Sequence, residues 1–210
     1  MPEALPPFAG NQAMKSAAFL LLALLLPAAA MAADPGAGAP QVNVTRDSAA
    51  GWAPSAEAEA LALAGANGYF AALDAEKYAD AFAMMTDVMK QSVPEKVFIE
   101  AKRSFRIVAG PLKKREFLQV TWTKDSPKAP LPGIYAAIDV GSYFEKIDRH
   151  CGYIVMYQKA EGGAFSVMRE EANFILNAQA DDIVRKHSAA ELGKIWDGLA
   201  KNCPNYQAEK

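Results

Sequence analysis

The residues of this chain best suited to chemistry lie on neighbouring strand-like runs near its middle. Asp139 shares one face of an alternating run with Tyr135 and Tyr143, and Tyr153 and Tyr157 follow on the next run. A carboxylate buried beside phenols has a shifted pKa and can work as a general base. The plainer reading is that tyrosines on an open sheet face are ordinary strand formers and that Asp139 points to solvent. We prefer the plainer reading, and keep the four tyrosines as candidate binding residues.

Cys151 and Cys203 are the only cysteines. In an exported chain two cysteines read as one disulfide, here closing a loop of about fifty residues and worth on the order of 4 kcal/mol in the chain-entropy model. A redox pair would carry the close Cys-x-x-Cys spacing, which is absent. His150 and His187 are the only histidines, so a histidine-rich metal site is excluded. His150 beside Cys151 would suit a ligand pair or an activated thiol, but its place at a hairpin reads as a solvated turn residue. No Gly-rich phosphate loop, zinc spacing, Gly-x-Ser-x-Gly or His-Glu-x-x-His occurs, so no metal and no cofactor is expected. Lys113-Lys114-Arg115, with Lys102, Arg103 and Arg106 nearby, forms a local cluster able to meet an anion, although helix ends and strand starts often carry such charges. With 22 Lys+Arg against 24 Asp+Glu, no nucleic-acid partner is implied.

The elements that must position these residues run from Leu112 to Leu176. Lys113 to Thr123 alternates, with Glu116, Leu118, Val120 and Trp122 on one face and Arg115, Phe117, Gln119 and Thr121 on the other. Prolines at 127, 130 and 132 make a loop. Ile134 to Phe144, Cys151 to Lys159 and Ala164 to Glu170 are the next three runs, joined through Glu145 to Arg149 and through the turn Glu161-Gly162-Gly163. Short connections favour an antiparallel meander.

Three helices precede the sheet. The first, about Ser55 to Leu73, is capped by Ser55, and Gly65 and Gly68 allow close approach to the sheet. The second carries Tyr78, Phe82, Met85 and Met89. The third is announced by the capping box Ser92-Val93-Pro94-Glu95 and ended at Gly110-Pro111 by an αL cap. A tail helix repeats Leu192, Ile195, Trp196 and Leu199 after the capping box Ser188-Ala189-Ala190-Glu191. The fold class is therefore α+β, three N-terminal helices on a curved four-stranded antiparallel sheet plus a C-terminal helix.

Residues 1–32 read as a secretory signal peptide: Lys15, an apolar core of about ten residues, too short to span a bilayer, and small residues at Ala30 and Ala32. Prolines before Lys15 make Met14 an alternative start. Residues 33–54 read as a mobile Pro/Gly/Ala-rich linker anchored by Trp52, 55–176 as the α+β domain, and 177–210 as a helical tail stapled to it by Cys203. The expected location is periplasmic or secreted after cleavage near Ala32, with no stable membrane anchor.

Gly133-Ile134-Tyr135, Glu161-Gly162-Gly163-Ala164-Phe165-Ser166-Val167 and Asn173-Phe174-Ile175, with Tyr78-Ala79-Asp80-Ala81-Phe82 and Gly110-Pro111 upstream, resemble the family catalogued as domain of unknown function 4019. The resemblance covers about Ala56 to Leu176 and implies a small cystatin-like, nuclear-transport-factor-like domain, commonly exported by bacteria, with no established activity. His150-Cys151-Gly152 departs from the family's usual acidic-hydrophobic start to the third strand.

Two functions stay open at this point. One is a non-catalytic domain binding an unknown small molecule or protein, with a sheet-to-sheet homodimer compatible with exposed tyrosines. The alternative is a small ketosteroid-isomerase-like enzyme with Asp139 as base in the helix–sheet cavity. They separate on whether Asp139 lies in a closed pocket or on an open face.

Overall fold

The computed structural model describes residues 40–201, so the signal segment expected at 1–32 and Cys203 lie outside the described residues. The elements in order are β1 (Gln41–Val44), α1 (Ala56–Asp74), α2 (Tyr78–Ala83), α3 (Asp87–Ser92), α4 (Glu95–Ala109), β2 (Leu112–Lys124), β3 (Gly133–Phe144), β4 (Ile147–Lys159), β5 (Ser166–Leu176), α5 (Asn177–Lys186) and α6 (Ala189–Ala200). The class is α+β. The sheet has five strands in sequence order, antiparallel except for β1, which runs parallel to β2 at the edge.

The extra strand comes from the segment read as linker. Val42 pairs with Val120 and Val44 with Trp122, and the ring of Trp52 meets Trp122 edge-on with centroids 6.4 Å apart. No local alternation marks β1, because all four of its side chains are exposed. Its order comes from backbone pairing alone.

One face of the sheet carries the helices. Ala62, Ala66, Tyr69 and Phe70 of α1, Ala81 of α2 and Phe98 of α4 pack with Val120, Trp122, Ala136, Ile138, Val140, Ile154, Met156 and Val167. Gly65 lets α1 come close, since a Cβ there would lie 2.9 Å from the Met156 methyl.

Two of the four register shifts in the ladder bring Arg115 and Glu170 to the helix face. On β2 the register passes from Phe117↔Val140 to Gln119↔Asp139, so Leu118 is an extra residue. Alternation breaks there, and Arg115 and Phe117, not Glu116, share the helix face with Val120 and Trp122. The single-face alternation expected for this strand is corrected by that bulge. On β5 the register passes from Arg169↔Val155 to Val167↔Met156, leaving Met168 extra and turning Glu170 to the helix face.

Four helices, not three, precede the antiparallel strands. The expected second helix is broken because Met85 bridges Val167: the Val167 amide donates to the Met84 carbonyl and the Thr86 amide to the Val167 carbonyl, both at 2.9 Å. Thr86 Oγ1 then caps α3 by accepting from the Met89 amide. Ser92 does not cap α4. It ends α3 and donates to the Met89 carbonyl, so Pro94 takes the cap position and the predicted capping box does not form. Gly110 ends α4 as expected of a glycine, with φ 74°, although its ψ of −170° is extended and not αL.

The tail has two helices, where one was expected. Asn177 opens α5 and its side-chain amide donates to the Glu145 carbonyl. Glu191 accepts from the Ser188 amide at 2.8 Å, the reach-back half of the predicted capping box of α6.

Candidate functional site

A partly enclosed cavity of about 60 Å³ lies where the end of α1, the start of α2 and the middle of α4 meet the sheet. Its apolar wall is Phe70, Leu73, Phe105 and Phe144, and its polar groups are Asp74, Tyr78, Lys102, Arg106, Arg115, Ser142, His150 and Glu170. That volume suits a molecule of a few heavy atoms or a few waters, far below the ~300 Å³ at which drug-sized pockets begin.

Four of the five charged groups form two ion pairs. Arg115 grips Asp74 through two N–H···O contacts, at 2.5 and 3.2 Å, donates to Ser142 Oγ at 3.1 Å, and lies 4.3 Å over the Phe70 ring. Lys102 meets Glu170 at 2.6 Å, and the fully buried Tyr69 hydroxyl donates to the same carboxylate oxygen. Burial first, then the Glu170 charge, pushes the Tyr69 phenol far above its ordinary range. Arg106 donates to the Gly110 carbonyl at 2.7 Å.

Two polar side chains lining the cavity stand apart. His150 is 9% exposed and Tyr78 is 5% exposed. Neither His150 Nδ1 nor the Tyr78 hydroxyl has a hydrogen-bond partner among the described residues. Leaving a buried polar atom unmatched costs about 1–3 kcal/mol, so such groups in a cavity point to something that meets them. Burial, with Arg115 next, lowers the His150 pKa to about 4, so the imidazole is neutral at pH 7. Burial also raises the Tyr78 pKa, with Glu76 adding to it.

The expected solvated hairpin position of His150 is corrected. The turn holds only Glu145 and Lys146, β4 starts at Ile147, and His150 sits inside a box of Phe105, Phe144 and Phe174. The basic cluster does supply three cavity residues, Lys102, Arg106 and Arg115.

The other sequence candidates lie elsewhere. Ile138 and Val140 face the helices, so Asp139, half-buried between Gln119 and Tyr153, is on the opposite face and does not line the cavity. Tyr135 and Tyr157 are buried on that opposite face with ring centroids 4.9 Å apart. Their hydroxyls donate to the carbonyls of Leu131 and Pro132, at 2.8 Å each, and so pin the proline loop. Tyr143 donates to Glu116 and Tyr153 to Glu171. Burial raises the pKa of Tyr135, Tyr153 and Tyr157. Cys151 is buried on β4, and its expected partner falls outside the described residues. Among the described residues no group of three or more His, Cys, Asp or Glu is placed to hold a metal, and no helix is long and apolar enough to cross a membrane.

Residues 65–168, about half of the chain, match the family model described as protein of unknown function (DUF4019). This part of the chain belongs to that family. The DUF4019 match begins inside α1 and ends in β5 at Met168, so it takes in α2, α3, α4, β2, β3 and β4. Of the cavity, the DUF4019 segment supplies every lining residue except Glu170. Neither the curated proteins nor the solved structures contain a significant match to the chain.

Proposed function

We propose that this protein is an exported, non-catalytic binding domain whose ligand site is the helix–sheet cavity. The observation that carries the reading is the pair of unmatched, buried polar groups, His150 Nδ1 and the Tyr78 hydroxyl, lining one cavity. Binding is favoured over catalysis because four of the cavity's five charges are tied in two pairs, and its serine accepts from Arg115, which cannot take a proton from it. The ketosteroid-isomerase-like alternative needs its carboxylate base in this cavity, and Asp139 faces the other way. The finer fold reading, a cystatin-like cone, fits helices laid on one face of a sheet whose strands carry bulges.

Export rests on the signal-like segment 1–32. We also hold that Cys151 and Cys203 form the disulfide. Support comes from Trp196 of α6, whose ring lies 3.7 Å from the Arg149 guanidinium carbon, two residues before Cys151. That contact brings α6 to the start of β4.

Native mass spectrometry on the protein isolated from the periplasm tests all three statements. The expected spectrum shows cleavage near Ala32, a mass two hydrogens below the reduced chain, and a retained small adduct that is lost from a His150→Phe variant. Two free thiols would remove the disulfide. Retention of the same adduct by His150→Phe would move the site away from the cavity.

A further inference from the structure

The chemical class of the ligand can be read from the same cavity, granted the binding role proposed above. We propose that it takes a small uncharged molecule, with a short apolar body and a group that both donates and accepts hydrogen bonds, such as a primary amide.

The pairing of the lining charges disfavours ions. Asp74 is held by Arg115 and Glu170 by Lys102, while Arg106 donates to the Gly110 carbonyl and has Glu76 at 3.8 Å. An incoming anion would meet two carboxylates and would have to open a pair to reach Lys102 or Arg115, while the excess cation, Arg106, already donates to the Gly110 carbonyl and has Glu76 beside it. A cation would face the converse. Separating a partly buried pair leaves one charge unmatched in a poorly solvated place, which outweighs what a weakly held small ion can return.

The unmatched groups ask for something else. A neutral imidazole presents one ring nitrogen as donor or acceptor according to its tautomer, and a phenol hydroxyl can do both. A ligand carrying both functions offers a partner to His150 Nδ1 and to the Tyr78 hydroxyl, which line the same cavity, and no charged group need move. The remaining walls are Phe70, Leu73, Phe105 and Phe144, which suit a methyl or methylene body.

Acetamide, acetate and acetamidinium have the same planar shape and differ in charge, so they isolate this property. Each is titrated into the full-length exported protein at pH 7 and constant ionic strength, with the histidine rings labelled with ¹⁵N. His150 reports on the cavity, and His187, on the exposed tail, is the internal control. Acetamide is expected to shift the His150 ring signals saturably, with acetate and acetamidinium weaker by about tenfold or more. Tyr78→Phe, which keeps the ring and removes only the hydroxyl, is expected to weaken acetamide about tenfold. If acetate or acetamidinium binds as tightly as acetamide at His150, the uncharged class is wrong while the binding site stands. If none of the three shifts His150 saturably, the cavity holds only water and the binding reading falls with it.

Discussion

The imidazole of His150 lies nearly parallel to the ring of Phe174, with centroids 6.4 Å apart and planes 17° from coplanar. Phe144 meets the same imidazole nearly edge-on at 5.3 Å, and Phe105 closes a third side at 5.7 Å. A titratable ring is thus held in an apolar box that resists its protonation.

Acid stability follows from that box. The folded pKa of His150, about 4, lies below its ordinary value of 6.5, lowered first by burial, with Arg115 and Lys102 also opposing the charge and Glu170 favouring it. Between those values the unfolded chain binds the extra proton. The stability contribution is therefore complete above pH 6.5 and is lost as pH falls toward 4, approaching ~3 kcal/mol in all. Urea unfolding of wild type and His150→Phe from pH 7.5 to 4 checks this. The variant should show an acid decline shallower by about that amount, and parallel curves would refute the assignment.

Tyr69→Phe removes the hydroxyl that donates to Glu170 while keeping the buried ring. A hydrogen bond to a charged group is worth roughly 1.5–3 kcal/mol, so the variant should lose about 2 kcal/mol in equilibrium denaturation with an unchanged m-value.

Asp74→Asn leaves Arg115, whose side chain is 14% exposed, without its counter-charge. We expect a loss of about 2 kcal/mol, less than for a fully buried pair because Asp74 is partly solvated. The double variant Asp74→Asn/Arg115→Met should recover part of the loss, and a double-mutant cycle measures the coupling. Strict additivity would mean that the pair contributes nothing.

Gly65 and Gly193 make a controlled contrast. At Gly65 a new Cβ would meet the Met156 methyl at 2.9 Å, whereas at Gly193 nothing lies within 4 Å. Gly193→Ala should stabilise by up to ~1 kcal/mol through helix propensity alone. Gly65→Leu should destabilise by about 2 kcal/mol, since the added atoms must displace α1 from the sheet. Thermal unfolding of the two variants separates them by sign.

The sequence by itself determined the elements governed by local periodicity and local chemistry. The antiparallel runs, the Gly162-Gly163 turn, the Ser55 and Ser188 caps and the stop at Gly110 each depend on residues within a few positions of one another. Tertiary structure alone decided which side chains meet. A strand's period of two predicts faces only while the ladder is regular, and the extra residues Leu118 and Met168 are visible only against the opposite strand. Those two bulges turn Arg115 and Glu170 into the cavity. Met85 left its helix because a distant strand offered backbone partners, and β1 formed for the same reason. His150 is buried because Phe105, Phe144 and Phe174, from three different elements, converge on it, and convergence of that kind leaves no local mark in the chain.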